Sequence, residues 1–260
     1  MRVYSRASEL ALLIWPCAIV GLGLEELHLV RSAPWAARDA LLALTLPIVA
    51  LGTHGWLSIW RPWADRVLLP VVLCLAAIGL VIVERIRPDL GSRQAIWLGL
   101  GMVGFGLGGW LAGRRGLLLR YRYTIGALGL ALTAATLIFG VDPNGSGARL
   151  WFSVGGVSLQ PVELMKILLV VWLAGYLHEH GDVMRFANSR LGRLKMPPLP
   201  YLIPLAIVFA IAELLLVVQR DLGAGLLISI VFVLMIFMAS GRLSLLMLGL
   251  LVLLAAGWLA

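Results

Sequence analysis

Gln160-Pro161-Val162-Glu163-Leu164-Met165-Lys166 runs directly into Ile167-Leu168-Leu169-Val170-Val171-Trp172-Leu173-Ala174. The second half of this stretch suits hydrocarbon. The first half sets an acid and a base three residues apart at its head. On a helix, positions i and i+3 share one face. A charge carried to the centre of a bilayer costs about 3 kcal/mol on insertion scales. Ionisable residues kept inside a span therefore mark a functional site or a pairing between helices. Spacing alone leaves both readings of Glu163 and Lys166 open, a wet chamber or a helix clamp.

The rest of the chain has the same character. Of 260 residues, 61% are apolar and 13% are charged, against about 25% charged in a soluble domain. Mean hydropathy is +0.99. Inside a bilayer every backbone N–H and C=O must be paired internally, so only helices and closed barrels can span it. Barrel strands alternate apolar and polar residues. This chain has unbroken apolar runs of helical spanning length. The expected fold is an all-α polytopic transmembrane helical bundle with about nine spanning helices. Their segments are 10–24, 41–60, 67–83, 95–111, 123–139, 162–177, 202–218, 222–239 and 243–260. The first is short and follows Arg2 and Arg6, as a signal peptide does. It lacks a clean small-residue cleavage site, and Glu25-Glu26 follows at once, so it reads as a retained helix.

The net charge of +8 would suggest nucleic acid in a soluble chain. In a membrane protein, basic residues instead mark cytoplasmic loops. One set of alternate loops holds thirteen Lys and Arg, and the other holds seven. That asymmetry predicts a cytoplasmic N-terminus and an external C-terminus. Segment 141–159, with Asp142-Pro143-Asn144-Gly145 turn chemistry and Trp151, is then external. Cys17 and Cys74 lie in separate apolar runs and read as small fillers, with neither metal nor disulfide spacing.

Several motifs invite over-reading. Gly99-Leu100-Gly101-Met102-Val103-Gly104 matches a dinucleotide fingerprint, but it lies within a span. No strand precedes it, and no acidic residue occurs between Asp89 and Asp142. Gly104 and Gly108 form a GxxxG pair, read as close helix packing. His54 reads as a packed polar residue. His178-Glu179-His180 has the wrong spacing for zinc and reads as a solvated helix end. Glu213 either pairs with Lys166 or lines a cavity.

Three features converge on the external half of the membrane. They are Gln160, Glu163 and Lys166 at the head of the sixth segment, the short turn Gln219-Arg220-Asp221 joining the seventh and eighth, and Arg149. Arg220-Asp221 alone reads as a turn pair. Together they suit an amphipathic substrate, with Arg149 and Lys166 available to phosphates and apolar walls to a lipid tail.

Gly147-Ala148-Arg149-Leu150-Trp151, then Gly155, then Gln160-Pro161-Val162-Glu163-Leu164-Met165-Lys166, resembles the SEDS family of FtsW/RodA/SpoVE-type proteins. Gln219-Arg220-Asp221-Leu222-Gly223 looks like that family's Q-x-DLG turn. Ser146 and Gly147 interrupt the family's NGA motif, and Val162 stands where Ser or Ala is usual. The resemblance covers residues 67–260, and leaves 1–66 as an N-terminal extension with two membrane helices. It implies a bacterial plasma-membrane glycosyltransferase of cell-wall biogenesis, without cofactor or metal. Such a protein polymerises lipid II at the outer face together with a class B penicillin-binding transpeptidase. It also implies that Arg149, Gln160, Glu163 and Lys166 line the substrate cavity, while Gln219 and Asp221 shape its rim. The family's essential aspartate lies on a large later loop with no counterpart here. The expectation is therefore a core truncated before that loop, with no catalytic residue assigned. The alternatives are a flippase for the lipid-linked precursor and a non-catalytic membrane partner of a transpeptidase.

Overall fold

The computed structural model describes residues 7–259 apart from 33, 36, 62, 63, 143, 144, 146–148, 155, 156, 187, 188, 192 and 193. Arg2, Arg6, Pro143, Asn144, Ser146, Gly147, Ala148 and Gly155 lie outside the described residues. Along the described chain run α1 (Ala7–Leu12), α2 (Ile14–Arg31), α3 (Ala37–Trp60), α4 (Leu68–Ile86), α5 (Pro88–Ala112), α6 (Arg115–Arg120) and α7 (Arg122–Phe139). Then come β1 (Phe152–Val154), β2 (Val157–Leu159), α8 (Pro161–Phe186), β3 (Ser189–Leu191), β4 (Leu194–Met196), α9 (Leu199–Val218), α10 (Leu222–Ser240) and α11 (Leu243–Leu259). Among the described residues, eight spans are long and apolar enough to cross a bilayer, α1 and α2 counting as one. The ninth segment, α11, has 17 residues. That is about 25 Å of helix against a hydrocarbon core of about 30 Å.

Two small hairpins add to the helices. β1 and β2 pair antiparallel with Phe152 opposite Leu159, and Val141 bridges Trp151 just outside them. In sequence, Gly155-Gly156 between β-branched and aromatic residues is a two-residue turn signal. The second hairpin, β3 with β4, interrupts the basic stretch between α8 and α9.

The chain forms two compact units that divide at Arg115/Gly116. In the first, α2 packs on α4 and α3 on α5. The helices of residues 1–66 thus share a packed unit with α4 and α5, whereas family likeness drew its line at 66/67. Leu42, Leu46, Ala50 and Leu57 on α3 recur at helical steps, as do Leu69, Leu73, Ala77 and Leu80 on α4, and all are buried. Lipid tails are as apolar as leucine, so this burial holds helices by close packing rather than by transfer from water.

Polar pairs reinforce that packing. Buried Glu84 accepts from Arg38 at 2.8 Å and lies 3.6 Å from Arg31. Arg38 also donates to Ser92 and to the Pro88 carbonyl. Gly91 leaves room for this cluster, because a Cβ there would overlap the Glu84 carboxylate. His54 is indeed a packed polar residue: its Nδ1 lies 3.0 Å from the buried Glu9 carboxylate. The GxxxG reading needs correction. A Cβ on Gly104 or Gly108 meets nothing within 4 Å. Gly106, on the opposite face of α5 from Gly104, and Gly109 approach Trp56 instead, at 3.7 and 3.8 Å.

In the second unit α7, α9 and α10 all pack on α8. Glycines set the approach of α7. A Cβ on Gly126 would stand 2.8 Å from Trp172, and one on Gly129 would stand 3.3 Å from the Met165 backbone. Buried Val162, Met165 and Leu169 of α8 meet Ala212 and Leu216 of α9 and Ala224 and Ile228 of α10. A second cluster around Trp172, Tyr176 and Phe232 continues along α8. At its far end Glu179 pairs with Arg122, and His180 stacks on Tyr176 at 4.4 Å. His180 is therefore packed rather than solvated, since the turn below it supplies an aromatic face.

Candidate functional site

The heads of α8 and α10 meet in the second unit. Pro161 occupies the first position of α8, where its missing N–H is harmless. The Glu163 N–H bonds back to the Gln160 carbonyl at 3.1 Å and closes the first turn. Glu163 sits in that turn, where the positive helix end stabilises a carboxylate. Lys166 donates to it at 2.8 Å. The pair is unequal: the Glu163 side chain is 62% exposed and that of Lys166 only 20%. The Lys166 stem lines a small apolar recess with Leu169, Leu173, Ile228 and Phe232, while its ammonium reaches the carboxylate. This is snorkelling, with the apolar stem packed and the charge held outward.

The turn between α9 and α10 is built around three side chains pointing three ways. Gln219 is buried, and its amide donates to the Thr133 carbonyl and to Thr136 Oγ1 of α7, both at 2.8 Å. Asp221 caps α10: Oδ1 accepts from the Ala224 N–H at 3.1 Å. Its other oxygen accepts a longer bond, 3.4 Å, from the Gln160 amide at the head of α8. Between them Arg220 lies exposed with φ 58°. The Arg220 N–H bonds the Val217 carbonyl at 3.0 Å, and the Asp221 N–H bonds the Leu216 carbonyl at 2.9 Å. This is a Schellman ending, whose left-handed position usually holds glycine. A side chain there costs about 1–2 kcal/mol.

Of the residues singled out in the sequence, the structure links Gln160 with Asp221 and Glu163 with Lys166. It turns Gln219 inward, away from any rim, as a tie between the turn and α7. Arg149 is exposed in the segment before β1, and its carbonyl packs against Gly140. Glu213 does not pair with Lys166. It accepts from Ser229 at 2.7 Å and lines an apolar cleft of about 590 Å³ among α9, α10 and α11. The sequence reading passed over Thr133, Thr136 and Ser229. A hydroxyl inside an apolar span is the signal that would have found them, since such groups bond across helices.

Helices of spanning length, a charged pair at the head of a central helix and a capped turn beside it define a polytopic membrane protein with a polar site at one end of its second unit. The chain belongs to the family of cell cycle proteins of the FtsW/RodA/SpoVE type, whose model matches residues 57–259. The peptidoglycan glycosyltransferases RodA of Mycobacterium bovis and Mycobacterium leprae are both 30% identical to it, over 98% and 97% of this chain respectively and 56% of each relative. A probable peptidoglycan glycosyltransferase FtsW of Methylomonas methanica is 31% identical over 69% of this chain and 46% of its own length. The chain spans about half the length of these curated relatives. No solved structure matches it.

Proposed function

We propose that this protein acts in bacterial peptidoglycan synthesis, and that the site at the heads of α8 and α10 holds lipid II for a glycan-polymerising glycosyltransferase reaction. The observation that carries this reading is the acid–base pair of the family motif, at the head of α8 and bonded through Gln160 to the capped turn at Asp221. The names of the related RodA and FtsW proteins support the reaction class. The charge asymmetry of the loops supports placing this end at the outer leaflet.

Each residue then has a physical task. Lys166 offers an ammonium to phosphate oxygens at the boundary between apolar wall and water. Glu163 keeps that ammonium oriented while the site is empty. Gln160 and Asp221 fix the spacing of the heads of α8 and α10. Arg149, exposed in the preceding segment, supplies a second cation to the same anion. A class B penicillin-binding transpeptidase is the partner that this role requires, and it is part of the same proposal.

The test is equilibrium binding of fluorescent lipid II to the protein in nanodiscs. The wild type should bind it well above undecaprenol. Lys166→Met should weaken binding about tenfold or more, the weight of one charge-assisted hydrogen bond. Equal affinity for lipid II and undecaprenol would remove the reading.

A further inference from the structure

We infer that Arg220 is a contact residue for the diphosphate of a lipid-linked substrate, held toward it by the left-handed ending of α9. The inference rests on the lipid II reading above and adds a residue that the family motif leaves variable.

The charge inventory at this end points to Arg220. Glu163 and Lys166 are paired with each other. Both carboxylate oxygens of Asp221 are occupied, one by the Ala224 N–H and one by Gln160. Among the described residues, no hydrogen bond or ion pair engages the Arg220 guanidinium, and the residue is exposed. Arg220 is thus an uncommitted positive charge, as is the exposed Arg149, and Arg220 is the one that stands one residue from the bond joining the heads of α8 and α10. The Asp221 carboxylate already caps α10 and Glu163 already occupies the first turn of α8, so side-chain cations rather than helix ends are what this site offers an anion.

The backbone adds an independent observation. Among the described residues, only Ser32 and Arg220 are non-glycine residues with positive φ. Glycine would close the same Schellman turn at lower cost. The flanking residues show why the turn persists nonetheless. Gln219 is locked inward by its two bonds to α7, and Asp221 is fixed by capping α10. Arg220 is the residue between two anchors, and its side chain is free to leave the protein surface. Strain held in place by surrounding structure, beside a polar site, is the pattern of a positioned functional group. A guanidinium suits a diphosphate because its planar fork gives two parallel bonds to phosphate oxygens.

The decisive variant is Arg220→Gly, because it removes the charge while relieving the backbone. Nanodiscs carrying the wild type, Arg220→Gly and Arg220→Lys are titrated with undecaprenyl diphosphate, undecaprenol and inorganic pyrophosphate. Melting midpoints are read in parallel. The expected result is about tenfold weaker binding of undecaprenyl diphosphate by Arg220→Gly, a midpoint equal to or above wild type, and substantial recovery with Arg220→Lys. Competition by inorganic pyrophosphate would show that the anion alone suffices. Binding of the lipid diphosphate only would show that the tail is also required. If wild type and Arg220→Gly bind undecaprenyl diphosphate equally, Arg220 is not a contact and the lipid II reading survives without it. If the wild type itself does not distinguish undecaprenyl diphosphate from undecaprenol, both readings fall together.

Discussion

Replacing Gln219 by Met keeps the length of the side chain and removes its two donors. In the structure those donors reach the Thr133 carbonyl and Thr136 Oγ1 at 2.8 Å from inside the protein. A net neutral hydrogen bond is worth about 1 kcal/mol, and bonds between membrane helices average about 0.6 kcal/mol. Gln219→Met should therefore cost about 1–2 kcal/mol. Neither acceptor is stranded by the change. Thr136 still donates to the Thr133 carbonyl at 2.7 Å, so no full desolvation penalty is added. Thr136→Val removes only one of the two bonds to Gln219. A double-mutant cycle should give a coupling of about 0.6–1 kcal/mol between positions 219 and 136. The measurement is reversible unfolding in mixed micelles as the SDS fraction rises, followed by far-ultraviolet circular dichroism. A coupling within about 0.3 kcal/mol of zero would remove the bond to Thr136, and a Gln219→Met cost also near zero would mean that the turn is not tied to α7.

Two further perturbations address the packing of each unit. Gly91→Ala should push the Glu84 carboxylate out from between Arg31 and Arg38, at a cost of about 3 kcal/mol for breaking a buried pair. A loss below about 1 kcal/mol in the same unfolding assay would show that the cluster is not needed for stability. Gly126→Leu should force α7 away from Trp172, with an overpacking cost of about 1–3 kcal/mol. An unchanged Trp172 fluorescence maximum in a background without the other tryptophans would contradict the close approach.

The helical architecture was legible in the sequence because a bilayer permits few solutions, and apolar runs report their own length. The head of α8 was legible too, since Pro161, Glu163 and Lys166 each carry a local reason to stand at a helix start. What remained hidden depends on rotation about helix axes. Gly104 and Gly108 look like a packing motif in one dimension, yet Gly106 faces the neighbour because two residues turn a helix by about 200°. Glu9 and His54 are 45 residues apart, and only the fold makes them partners. Gln219 is the sharpest case. A glutamine at a helix end beside a polar site is equally suited to face water or a hydroxyl of the next helix, and only the placement of Thr136 decides. Arg220 was read as half of a turn pair with Asp221. Sequence spacing carries no sign for φ, so the left-handed backbone that separates the two could not be seen.

The cluster around Glu84 also bears on how the protein is made. Arg31 and Arg38 leave the ribosome some fifty residues ahead of the acid they surround. Until α4 follows, the facing ends of α2 and α3 hold two guanidiniums with no acid from α4 to offset them. The first helical pair is then weakly committed to its orientation, and arrival of α4 fastens it. Biogenesis of this unit is therefore ordered from within: a nascent chain halted before Glu84 should show mixed loop accessibility, and one extended past it should show a single topology.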